Sequence, residues 1–121
     1  MSKILIVDDE QDVLDLAQEI LEEEGYEVLS TVNGEKTFDL VSAFKPDLIL
    51  LDVVLPETSG LDICRRLKRD KKTRAIKVIL FTALGTEVDM MLEKRDKADD
   101  YLLKPFNYSG LVEKVKKQLR G

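Results

Sequence analysis

Histidine and tryptophan are absent from the 121 residues, cysteine occurs once and proline three times. Without histidine, no imidazole in this chain can act as a base, a metal ligand or a phosphate carrier. The single cysteine, Cys64, excludes an intramolecular disulfide framework, and its place in an apolar helical pattern makes it a small core residue rather than a reactive thiol. No apolar run approaches the length of a membrane span or of a signal peptide's hydrophobic region, since the run at residues 4–7 directly follows Met-Ser-Lys and then stops. A cytoplasmic protein with no membrane association is expected. Positive charge is also in deficit: 19 Lys and Arg against 24 Asp and Glu leave −5, which works against nucleic-acid binding by this chain alone.

Apolar residues make up 44% and charged residues 36%, the composition of a charge-rich folded protein. The length suits one domain spanning residues 1–121. Cations concentrate in one place, at Arg65, Arg66, Lys68, Arg69, Lys71, Lys72, Arg74 and Lys77, which reads first as a solvated helix end and second as a docking patch for an acidic partner.

The stretch around which the chain is organised is Pro-Asp-Leu-Ile-Leu-Leu-Asp-Val-Val-Leu-Pro at residues 46–56. Four apolar residues between two prolines are too few for a helix and too continuous for a strand with one wet face. They predict the central strand of a parallel sheet covered on both sides, with Asp52 at its carboxyl end. Similar runs occur at residues 3–7, 26–30, 76–81 and 99–103. Between them lie helical patterns: Val13, Leu14, Ala17, Ile20 and Leu21, stopped by Gly25; Phe38, Val41 and Phe44, opened by Asn33 and stopped by Pro46; Leu61, Cys64 and Leu67, opened by Ser59 with Asp62 as a capping-box partner. A less regular fourth segment spans residues 87–95, and a fifth, capped by Asn107, turns Leu111, Val112, Val115 and Leu119 inward. Five alternations of strand and helix predict an α/β fold, a doubly wound five-stranded parallel sheet with helices on both faces.

A parallel sheet gathers the carboxyl ends of its strands on one edge, which would bring Asp8, Asp9, Asp52, Thr82 and Lys104 together. Three carboxylates a few ångströms apart repel one another, each pair by about 4 kcal/mol at 4 Å and an effective dielectric near 20. One lysine cannot balance three anions, so a divalent cation is implied, and an all-oxygen site suits Mg²⁺. With its charge screened, Asp52 can attack an electrophilic phosphorus and form an aspartyl phosphate, with the Lys104 ammonium and the Thr82 hydroxyl contacting the phosphoryl oxygens.

The segments Ile-Leu-Ile-Val-Asp-Asp-Glu at 4–10, Pro-Asp-Leu-Ile-Leu-Leu-Asp at 46–52 with Pro56 and Gly60 behind it, Thr82-Ala83, and Ala-Asp-Asp-Tyr-Leu-Leu-Lys-Pro-Phe at 98–106 closely resemble the receiver domain of two-component response regulators. The resemblance covers essentially the whole chain. It implies a flavodoxin-like sheet of order 2-1-3-4-5 and phosphorylation of Asp52 by a phosphohistidine on a sensor histidine kinase or a histidine phosphotransfer protein. It implies Mg²⁺ held by Asp9, Asp52 and the Val54 backbone carbonyl, with Asp8 acting through a water, and a cis Lys104–Pro105 bond. It also implies a switch in which Thr82 moves toward the phosphoryl group and Tyr101 turns inward. The output face would be the fourth helix, fifth strand and fifth helix, read by a downstream effector protein or a C-terminal output domain.

Some positions depart from the commonest family pattern. Lys97 replaces a frequent glycine, and Met90 and Gly110 stand where dimerising members usually carry a basic and an acidic residue. Val54 and Leu84 flank the expected approach of a hydrolytic water and cannot orient it, which predicts slow self-dephosphorylation. Two other readings can be set against this one. A hydrolase with an aspartyl nucleophile usually has a second acid two residues on, where this chain has Val54; a flavin mononucleotide carrier needs Ser, Thr or Gly amides in the first loop, which here is Asp-Asp-Glu.

Overall fold

The computed structural model describes residues 1–82 and 98–120, the Thr82 side chain excepted. Five strands form one parallel sheet: β1 (Lys3–Val7), β2 (Glu27–Thr31), β3 (Leu48–Asp52), β4 (Lys77–Thr82) and β5 (Asp100–Leu103), in the order β2-β1-β3-β4-β5. This is the doubly wound, flavodoxin-like order 2-1-3-4-5. The fourth helical segment expected at residues 87–95, and with it Ala83, Leu84, Met90 and Lys97, lies outside the described residues.

The sheet's core follows from side-chain alternation in strands that are apolar on both faces. Ile4, Ile6, Leu48, Leu50, Ile79 and Phe81 point to one side and meet Leu14, Ala17, Ile20 and Leu21 of α1 (Gln11–Glu23) and Leu111, Val112 and Val115 of the C-terminal helix (Tyr108–Arg120). Leu5, Val7, Ile49, Leu51, Val78 and Leu80 point to the other and meet Val41 of α2 (Thr37–Phe44) and Leu61, Ile63, Cys64 and Leu67 of α3 (Gly60–Arg69). Every residue of β3 is buried, Asp52 included. The stretch between two prolines therefore holds the most enclosed strand of the sheet, with β1 on one side and β4 on the other.

Helix ends follow local chemistry with small departures from expectation. Gly25 ends α1 at φ 94°, a left-handed conformation that suits glycine. Asn33 accepts the Glu35 N–H at 2.9 Å and so caps a 3₁₀ turn, Gly34–Lys36, that leads into α2 rather than capping α2 itself. The chain leaves α2 at Lys45, left-handed at φ 54°, one residue before the expected stop at Pro46. Ser59 accepts the Leu61 N–H at 3.1 Å at the start of α3, while Asp62 pairs with Arg65 at 2.9 Å. Asn107 accepts the Gly110 N–H at 2.7 Å and caps the C-terminal helix.

The basic run divides in the structure. Arg66 stacks its guanidinium 4.1 Å from the centre of the Phe38 ring, and Arg69, Lys71, Lys72 and Arg74 lie at the surface. Lys68 is different: its side chain is 9% exposed, its ammonium lies 2.7 Å from Asp99 Oδ2, and it donates to the carbonyls of Ile76 and Arg74. The same Asp99 oxygen accepts the Val78 N–H at 2.8 Å. Lys68 thus clips the end of α3 to the start of β4 and the residue preceding β5. Removing one member of a largely buried pair strands the other, so Lys68→Met is expected to lower stability by about 2 kcal/mol. Urea unfolding checks this through a lower midpoint at unchanged slope; an unmoved midpoint contradicts it.

Candidate functional site

The carboxyl ends of β1, β3 and β5 converge as the topology requires. Asp8 follows β1 and is fully buried, Asp52 closes β3 at 4% exposure, and Lys104 follows β5. Strand register sets these heights: Val7 is paired with Leu51, Asp52 with Phe81 and Thr82 with Leu103. Lys104 reaches back over the Phe81 ring, its Nζ 5.0 Å from the ring centre. There it meets three carboxylates, Asp8 Oδ2 at 2.7 Å, Glu10 Oε1 at 3.0 Å and Asp52 Oδ2 at 3.2 Å. The contact with Asp8 is the shortest of the three, and those with Glu10 and Asp52 also have hydrogen-bond geometry.

Loop geometry fixes Asp52 from behind. Its Oδ1 accepts the Val54 N–H at 3.2 Å, and Val54 forms an isolated antiparallel bridge with Ser59. That bridge turns the chain back so that Gly60 opens α3 directly against the end of β3, with its N–H on the Val53 carbonyl at 2.9 Å. A Cβ at Gly60 would overlap the Asp52 carbonyl oxygen, which makes glycine a steric requirement here. Asp8 is pinned in a similar way, its Oδ1 accepting the Glu10 N–H at 2.8 Å. The Val54 side chain stands exposed at the rim.

Electrostatics follow from burial. Loss of solvent pushes the Asp52 carboxyl up to about 6, and the Asp8 charge adds to the rise; the Lys104 ammonium and the Val54 N–H oppose it. Burial alone would pull Lys104 down, but its contacts with Asp8, Glu10 and Asp52 outweigh that and hold it well above the ordinary lysine range. Lys104 is therefore a permanent cation, and the cluster carries more negative than positive charge.

Asp8, Asp9, Glu10 and Asp52 each offer a carboxylate oxygen, and these oxygens lie within 4.8 Å of one another. All are hard donors, and among the described residues Lys104 is the cation that meets them. Asp8, Asp9 and Asp52 fit a hard divalent cation that keeps part of its water shell, while Glu10 is engaged with Lys104.

Of the residues expected at the site, Asp8, Asp9, Asp52 and Lys104 are brought together. The Thr82 backbone ends β4 beside Leu103, while its side chain lies outside the described part. Tyr101 is partly buried on the face covered by α2 and α3, with Lys114 5.5 Å from its ring centre. The Lys104–Pro105 bond is cis. Two participants had no role assigned from the sequence, Glu10 and Phe81. The acidic run Asp8-Asp9-Glu10 signalled the first, whereas the second depends on a cross-strand pairing that no local pattern encodes.

Comparison with known proteins agrees with this geometry. The model of the response regulator receiver domain family matches residues 4–116. The chain is 42% identical over 120 residues to the DNA-binding dual master transcriptional regulator RpaA of Synechocystis sp., covering 99% of this chain and 50% of that protein. It is 44% identical over 117 residues to the phosphate regulon transcriptional regulatory protein PhoB of Pseudomonas aeruginosa, covering 97% and 51%. The chain thus spans about half the length of these curated relatives. Among solved structures, the signal receiver domain of a signal transduction histidine kinase from Syntrophus aciditrophicus superposes with a TM-score of 0.91 at 37% identity, covering 100% of this chain and 92% of that one.

A carboxyl whose folded value is raised binds its proton more tightly in the folded than in the unfolded protein. Its stabilising contribution is complete below the unfolded value near 3.8 and is lost as pH rises through about 6. At pH 7 in chelator, Asp52→Asn is therefore expected to be more stable than the natural chain by about 1–3 kcal/mol. The difference should shrink as pH falls from 7 toward 4. Thermal unfolding of the two proteins across that range checks the sign; an Asp52→Asn variant that is less stable than the natural chain at pH 7 contradicts it.

Proposed function

Since the chain belongs to the response regulator receiver domain family, we propose that it is a phosphoacceptor switch in which Asp52 takes a phosphoryl group from a phosphohistidine on a sensor histidine kinase or a histidine phosphotransfer protein. The observation that carries this reading is the placement of a nearly buried carboxylate, Asp52, 3.2 Å from a permanent ammonium and within 4.8 Å of further carboxylate oxygens. Burial holds the metal-free carboxyl near 6, and a divalent cation beside it would lower that value and keep Asp52 ionised for attack.

In the transfer, an Asp52 oxygen forms a bond to phosphorus while the bond from phosphorus to the donor's imidazole nitrogen breaks, and the imidazole leaves with that electron pair. Lys104 meets a phosphoryl oxygen, and the Val54 N–H keeps the other Asp52 oxygen in place. Mg²⁺, held by Asp9, Asp52 and the Val54 carbonyl with Asp8 behind, would supply the positive charge that this cluster lacks and align the donor phosphate. The reaction is one event per chain on the protein itself, in keeping with a switch rather than an enzyme of metabolism. Burial of Asp52 limits the access of water to the adduct, and Val54 offers the rim no group to orient a hydrolytic water.

The switch would run through Thr82 and Tyr101, with the fourth helix, β5 and the C-terminal helix as the output face. Moving such an equilibrium from 1:99 to 99:1 takes about 5.5 kcal/mol of differential stabilisation. The output belongs to a downstream effector or to an output domain like those of the longer relatives, acting in the cytoplasm. Residues 1–121 form the receiver unit, and no helix among the described residues is long and apolar enough to cross a membrane.

Incubation with acetyl phosphate and Mg²⁺ is expected to add a single hydroxylamine-labile phosphoryl group per chain by intact mass. Chelator and Asp52→Asn should each abolish it, and after donor removal the adduct should decay over minutes to hours. Labelling of the Asp52→Asn variant contradicts the assignment, a lifetime of seconds contradicts the role of Val54, and rapid multiple turnover favours a hydrolase.

A further inference from the structure

We propose that Glu10 is a positioning residue for Lys104: its carboxylate holds the ammonium in the unmodified site and is the contact given up when a phosphoryl group arrives on Asp52. This rests on the phosphoacceptor reading of Asp52. Glu10 occupies the N-cap position of α1, with extended backbone at φ −94° and ψ 109°, yet its side chain makes no capping hydrogen bond. The carboxylate crosses instead to Lys104, 94 residues away in sequence, with Oε1 3.0 Å from Nζ. Because the Glu10 N–H is fixed on Asp8 Oδ1 at 2.8 Å, the backbone from which this side chain projects is anchored to the site it serves.

Exposure decides which of the three contacts can be released. Asp8 is fully buried and Asp52 nearly so, and leaving either without a cation would strand a desolvated charge. The Glu10 side chain is 62% exposed, so water can replace Lys104 at little cost. Of the three carboxylates that Nζ meets, Asp8, Glu10 and Asp52, only that of Glu10 is open to solvent. A phosphoryl group adds negative charge on the Asp52 side and draws the ammonium that way. Glu10 therefore restrains Lys104 only before transfer, and its influence on the forward step is separate from any on the stability of the product.

The test compares the natural chain with Glu10→Gln and Glu10→Asp at saturating Mg²⁺, with acetyl phosphate as donor. Removing the carboxylate frees Lys104 for the incoming phosphate, so the donor concentration giving half-maximal phosphorylation should fall about two- to fivefold in Glu10→Gln. The aspartate, one methylene shorter, should behave as the glutamine does because it loses the reach. Decay of the adduct should be unchanged in both variants. The Lys104 ammonium resonance in lysine-labelled protein should differ between natural chain and variants before phosphorylation and coincide afterwards. An unchanged half-maximal concentration, decay altered in step with formation, or, in a separate Mg²⁺ titration, a loss of Mg²⁺ affinity would each overturn the proposal, the last by making Glu10 a metal ligand. A natural chain that takes no phosphate, or Asp52→Asn that does, fails the phosphoacceptor reading itself, and the proposal with it.

Discussion

Two desolvated carboxylates, Asp8 and Asp52, share one ammonium at the carboxyl edge of the sheet, and that imbalance of charge governs how the molecule is built. Carboxylates are kept from solvent only at a cost in free energy, and Lys104 offsets part of it. What remains shows in the raised Asp52 carboxyl. The site is poised for added positive charge and for a ligand that brings its own oxygens.

The fold supplies the rigidity that such a site needs. Three strands buried on both faces place their last residues at matched heights, and two helices pack on each face among the described elements. Behind Asp52, the Val54–Ser59 bridge and the contact of Gly60 with the strand end leave its carboxylate little freedom. Phe81, paired with Asp52 across the ladder, carries the Lys104 ammonium above its ring and shields the pair from below. Far from the site, the Lys68–Asp99 clip ties α3 to the start of β4 and the approach to β5, whose far ends carry Thr82 and Lys104.

Much of this was legible in the residues. The unbroken run Leu48–Leu51 with an acid at its end identified the central strand, because only a sheet covered on both faces tolerates such continuity. Parallel topology then implied the meeting of Asp8, Asp9, Asp52 and Lys104. Local signals were less exact. Asn33 signalled a cap, yet a 3₁₀ turn intervenes before α2; Lys45 takes the left-handed position at the helix end that Pro46 suggested one residue later. Lys68 looked like its solvated neighbours, since nothing near it in the chain marks Asp99, 31 residues on, as its partner. Glu10 was visible as an acid, but its partner 94 residues away was not. Periodicity reports which face of an element is buried, and it is silent on which long side chains meet across elements.

Asp52 is thus held in an electrostatically unbalanced pocket whose charge a bound cation would relieve, and every functional property proposed for the chain depends on that state. The side-chain carboxyl carbon of Asp52, followed by nuclear magnetic resonance as pH is varied with and without Mg²⁺, reads it directly. Without the cation the resonance should titrate near 6, well above the ordinary 3.8, and with Mg²⁺ its midpoint should move down. A midpoint at the ordinary value without metal, or one that Mg²⁺ leaves in place, would contradict it.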